Sequence, residues 1–74
     1  MGEMRVLDMT GDTKIEWNIR NRKQVADARE EFNKFIARGF AAFLVGEDGK
    51  KHTRVFDFDP AAGQLIIVPV VQGG

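Results

Sequence analysis

Seventy-four residues supply one small domain, because a chain of this size buries only about 60% of the surface its unfolded form exposes and has no material for a second core. With 43% hydrophobic and 30% charged residues and no cysteine, the chain is neither disordered nor membrane-like, and it excludes a disulfide framework. No apolar run approaches the roughly 18 residues needed to span a bilayer. The 11 basic and 11 acidic residues cancel, which removes the electrostatic argument for nucleic acid or an anionic membrane as partner. The opening residues lack the apolar core of a signal peptide, so a cytoplasmic location is expected.

The residue types that are missing constrain the chemistry further. There is no Cys, Ser or Tyr, and Thr10, Thr13 and Thr53 are the only hydroxyl-bearing side chains, so a nucleophilic hydrolase or a redox enzyme is not expected. His52 has no Cys to share a zinc site, and Asp57 and Asp59 nearby read as surface polar residues of a turn; no metal is assigned. Arg20, Arg22 and Lys23 form a short basic cluster that reads as the solvated end of an element.

From the start of the chain, Met4 to Met9 is rich in apolar groups and is followed by Thr10-Gly11-Asp12-Thr13, a turn composition. Ile15, Trp17 and Ile19 then alternate with Lys14, Glu16 and Asn18. The pattern predicts a hairpin whose second strand buries Trp17 and its apolar neighbours on one face. In the first strand Met4 and Val6 share a face, while Leu7 and Met9 point away.

After Asn21 the period changes. Val25, Ala28, Phe32, Phe35 and Ile36 fall at spacings of three and four, which predicts one long helix over about residues 22–38. Asn21 can cap it, Gln24 can complete a capping-box pair, Gly39 can take the left-handed position that ends it, and Glu30 and Lys34 are ordered for an i,i+4 ion pair. The apolar stripe needs a sheet to lie against, and Phe32 and Phe35 read as core rather than as a ligand site.

Phe40 to Val45 is almost continuously apolar and is bounded by Gly46 and Glu47-Asp48-Gly49-Lys50, whose Asp-Gly pair suits a reversal. A return strand is predicted over about His52 to Phe58, with Arg54, Phe56 and Phe58 on one face and Thr53, Val55 and Asp57 on the other. Asp59-Pro60-Ala61-Ala62-Gly63 breaks the pattern, with a proline that donates no ladder bond and a glycine that permits a positive φ. The last strand, Gln64 to Val71, is apolar on both faces and therefore belongs inside a sheet. Leu65 and Ile67 are expected to face the helix and Ile66 and Val68 the opposite side, where exposed aliphatics make a candidate docking patch.

Strand, strand, helix and three further strands define an α+β, β-grasp plan: a mixed sheet of about five strands packed on one helix, with the last strand central and parallel to the first. A two-layer sandwich with another strand order is the rival. Residues 1–72 form the expected domain, and Gly73-Gly74 a flexible tail.

The two ends of the chain resemble the ubiquitin-like family. Thr10-Gly11-Asp12-Thr13 resembles the Thr-Gly-x-Thr segment between ubiquitin's first two strands. Pro69-Val70-Val71-Gln72-Gly73-Gly74 is similar to the Pro-Pro-Val-x-Gly-Gly ending of sulfur carriers related to the molybdopterin-synthase small subunit and the thiamine sulfur carrier, with Val70 in place of the second proline. Aligning on Thr-Gly-x-Thr sets Lys14 and Glu16 where ubiquitin has core residues, whereas the alternation buries Ile15 and Trp17. The resemblance spans both ends and the element order, not the middle.

The resemblance implies a non-enzymatic protein modifier or sulfur carrier. Its Gly74 carboxylate would be activated by an adenylating enzyme and passed to a conjugating or sulfur-transfer enzyme, with Gly73 and Gly74 as the reactive end and Pro69, Val70, Val71 and Gln72 as the recognised tail. ATP would be used by the partner, and the carrier itself would hold no cofactor. Ubiquitin's tail carries basic residues where Val70 and Gln72 stand here, which points to a prokaryotic activating enzyme. Glycines remove side-chain bulk at the end of the chain and open backbone angles closed to other residues, so the carboxylate can approach a nucleotide through a narrow channel. A monomer is expected. The alternative is an interaction or assembly protein, phage-encoded or accessory, that leaves the tail idle.

Overall fold

The computed structural model describes residues 1–8, 11–46, 48–50 and 52–70. Within them lie strands β1 (Gly2–Asp8) and β2 (Gly11–Trp17), helix α1 (Arg22–Ala37), and strands β3 (Phe40–Val45), β4 (His52–Val55) and β5 (Gln64–Pro69). The strands form one mixed sheet in the order β2-β1-β5-β3-β4. β5 lies between β1, to which it runs parallel, and β3, to which it runs antiparallel. The chain is thus an α+β domain with its last strand in the middle, as the two apolar faces of that strand require.

The pairing register explains which residues become core. Met4 lies opposite both Ile15 and Leu65, Val6 opposite Ile67, and Ile67 opposite Ala42. Because side chains alternate along each strand, these positions share the face that α1 covers. Met4, Val6, Trp17, Ala42, Leu65 and Ile67 are buried there with Ala28 and Phe32 of the helix, and Val25, Phe35 and Ile36 pack at the margin. The 3.6-residue stripe and the period-two strands therefore meet as one core.

The helix ends are set largely as the sequence indicates. Asn21 caps α1 by accepting the Gln24 backbone N–H at 3.1 Å, and the Lys34 ammonium lies 3.5 Å from the Glu30 carboxylate. The Gln24 side chain does not close a reciprocal pair with Asn21. Its Oε1 accepts from the Asn18 N–H at 2.8 Å, because the Asn21 N–H already donates to the Asn18 carbonyl at 2.8 Å. Gly39 has φ +93° and donates to Ile36 O at 3.0 Å; this left-handed position after the helix suits glycine, which has no Cβ to clash.

Four further expectations change. Asp8 pairs with Gly11, so Gly11, Asp12 and Thr13 are strand rather than turn, and Met9 and Thr10 lie outside the described residues. β2 stops at Trp17, which leaves Ile19 54% exposed instead of buried. The strand after the second reversal ends at Val55, not Phe58. A bend at Phe56 and Asp57 breaks the alternation, so Phe58 turns away from Arg54 and Phe56 into the core, 4.9 Å from the Trp17 ring and 5.8 Å from that of Phe32. Gly63 is not among the residues with positive φ. The turn before β5 is held instead by Asp59, whose carboxylate accepts from Ala61 N at 2.9 Å and whose carbonyl accepts from Ala62 N at 3.0 Å. Between β3 and β4, Gly49 N donates to Gly46 O at 2.9 Å; Glu47 and Lys51 lie outside the described residues.

Candidate functional site

Two features bear on function: the end of β5 and the sheet face that α1 leaves open. Pro69 is the last residue of β5 and pairs with Phe40, the first of β3. Proline has no N–H to extend a ladder. Val70 follows the strand and is 47% exposed. Among the predicted tail residues, Pro69 and Val70 are therefore accessible at the end of the central strand, while Val71, Gln72, Gly73 and Gly74 lie outside the described residues.

On the open face, the strand alternation separates Leu65 and Ile67, which are buried under the helix, from Ile66 and Val68, which are half-buried on the other side. The predicted division of β5 holds. Ile66 lies across from Arg5 of β1 and Phe43 of β3, and Val68 across from Ala41.

The two halves of this face differ in electrostatics. On the β1–β2 side Glu3 accepts from Arg5 Nε at 3.3 Å, and Lys14 bridges Glu3 at 3.9 Å and Glu16 at 3.5 Å. Arg5, Lys14 and Glu16 are exposed and Glu3 is half-buried; the charges compensate one another, and surface pairs of this kind each contribute about 0–1 kcal/mol. On the β3–β4 side Arg54 lies opposite Phe43 and the exposed His52 opposite Val45, with Phe43, Val45 and Ala41 supplying apolar groups on the same face. The Arg54 guanidinium carbon sits 5.8 Å from the Phe43 ring centre and 5.0 Å from that of Phe56. Phe56 is 69% exposed. This aromatic and cationic group was not foreseen as a site. Alternation sets Arg54 and Phe56 on one side, but bringing Phe43 to them depends on the register across β3 and β4, which no local pattern encodes.

The remaining candidates separate. Asp59 forms its turn, and His52 and Asp57 are exposed. Among the described residues no cluster of three or more His, Cys, Asp or Glu forms a metal-binding group, and no pocket forms. Buried side-chain nitrogen or oxygen atoms without a hydrogen-bond partner are likewise absent among the described residues. The geometry thus offers surfaces and an accessible end of β5. No helix among the described residues is long and apolar enough to cross a membrane. No protein-family model, curated protein or solved structure matches the chain.

Proposed function

We propose that this chain is a β-grasp, ubiquitin-like carrier whose Gly74 carboxylate is activated by a partner adenylating enzyme, for transfer to protein or to sulfur. The observation that carries the reading is the position of β5: the last strand is central, parallel to the first, and followed by accessible Pro69 and Val70. A segment following such a strand can be presented to another protein while the sheet stays intact. Pro69, Val71, Gly73 and Gly74 fall at the spacing seen in the sulfur carriers.

In the proposed chemistry a Gly74 carboxylate oxygen attacks the α-phosphorus of ATP, the bond to the pyrophosphate leaving group breaks, and an acyl adenylate forms. A thiolate or sulfide of the partner then attacks the acyl carbon and displaces AMP. The carrier contributes the carboxylate and no catalytic side chain, in keeping with a chain that has neither Cys nor Ser.

The test is incubation with ATP and purified prokaryotic adenylating enzymes of the sulfur-carrier and modifier types, read by pyrophosphate release and intact mass. Activation of the full chain and none of a chain lacking Gly73 and Gly74 is the expected result. Pyrophosphate release that survives that deletion, or no product with either enzyme type, contradicts it. A second reading, an interaction or assembly protein with an idle tail, is favoured by the exposed Phe56 ring beside Arg54.

A further inference from the structure

The uneven charge pairing of the open face has a consequence for what can bind there. Arg5 and Lys14 each face carboxylates of this chain. The Arg54 guanidinium has no ion pair or hydrogen bond among the described residues and lies over the Phe43 and Phe56 rings. Ile66 lies across from Phe43 on the same face. A cation over an aromatic ring is attracted by the negative face of the ring, and more strongly when water is removed. The rings also restrict the long Arg54 side chain before anything binds, which lowers the entropy lost on docking.

We infer that the β3–β4–β5 half of the open face is a docking surface for a protein segment that presents an Asp or Glu carboxylate between apolar side chains, with Arg54 receiving the carboxylate. The apolar groups rest on Ile66, Phe43 and Phe56. A wholly apolar partner covering these residues would strip water from an unpaired guanidinium, and a basic partner would add repulsion; both are disfavoured by the cost of burying an uncompensated charge. A carboxylate matches the planar fork of arginine and converts that cost into a charge-assisted hydrogen bond. The apolar surroundings favour aliphatic neighbours of that carboxylate over a nucleic-acid phosphate backbone. The inference invokes neither Gly73 nor Gly74, so it stands or falls independently of the carrier reading.

The experiment is an amide NMR titration of the full chain with three capped peptides of identical leucine-rich sequence that differ at one central residue: Glu, Gln or Lys. The Glu peptide is expected to shift the amides of Phe43, Arg54 and Ile66 and to bind at least about fivefold more tightly than the Gln peptide, the scale of one charge-assisted contact. Arg54→Gln should remove that preference while leaving the dispersion of the spectrum intact, and Phe56→Ala should weaken the Glu peptide while keeping a residual preference. Equal binding of the Glu and Lys peptides, shifts confined to another face, or no shift at millimolar peptide would overturn the inference. So would concentration-dependent shifts of the same amides without peptide, which would assign the face to a second copy of the chain.

Discussion

The Trp17 indole N–H donates to the Pro60 carbonyl at 2.9 Å, joining the end of β2 to the turn that precedes β5. The two residues are far apart in sequence, and the bond satisfies the one polar atom of a wholly buried ring. Replacing Trp17 by Phe removes the donor, shrinks the ring and leaves Pro60 O without this partner. The loss should amount to about 1–3 kcal/mol of folding stability, whereas Trp17→Ala should cost about 3–5 kcal/mol. Urea denaturation followed by circular dichroism would check both; a Trp17→Phe protein as stable as the parent would show that the bond contributes nothing.

Gly2 lies opposite Trp17 in the first hairpin. A Cβ added at Gly2 would collide with the indole ring and come within 2.8 Å of the Ala62 carbonyl. Gly2→Ala is therefore expected to destabilise by about 1–3 kcal/mol, the usual cost of overpacking. Since the ring is the nearer of the two obstacles, the penalty should shrink without vanishing in a Trp17→Phe background, giving non-additivity in a double-mutant cycle. Additive losses would mean that the two residues do not compete for the same space.

These two relationships mark the limit of what was legible beforehand. Periodicity found the helix, and the apolar character of both faces of β5 its central place; the split of Leu65 and Ile67 from Ile66 and Val68 follows from the alternation of side chains along a strand. It could not find Phe58. A two-residue alternation continued through Phe56 puts Phe58 on the open face, and only the bend after Val55 sends it inward, against Trp17 and Phe32. Nor did composition locate the first reversal, since Thr10 to Thr13 reads as turn while the register runs through Gly11. The Arg54 group was hidden for a related reason: it is assembled from two strands and the loop after one of them, and its register is a property of the whole sheet.

The faces of β5 give a contrast within one strand. Leu65→Ala should cost about 2–5 kcal/mol, because it leaves a cavity under the helix. Ile66→Ala, on the half-buried open face, should cost less than about 1.5 kcal/mol. Thermal unfolding of the two variants decides it, and equal losses would contradict the division of faces.

The start of α1 carries Arg22 and Lys23 and no acidic residue in its first turn, which is the wrong sign for the helix dipole. Lys23→Glu should thus stabilise the domain by about 0.3–1 kcal/mol at low salt, and the gain should fade as ionic strength rises. Asn21→Ala should have the opposite effect, a loss of about 1 kcal/mol through the missing cap. A salt-independent response of Lys23→Glu would rule out the dipole as its cause.

The proposed carrier role places all its chemistry on one atom group, the α-carboxylate of Gly74. Mass spectrometry of the protein isolated from the cells that make it, after rapid denaturation to preserve labile bonds, reads that group directly. The carrier role predicts a fraction in which the Gly74 hydroxyl oxygen is replaced by sulfur, or in which Gly74 is joined through an amide to a lysine of another protein. Finding only an unmodified Gly74 carboxylate under conditions that preserve a known thiocarboxylate and a known isopeptide, or a chain that continues beyond Gly74 in its mature form, would contradict it.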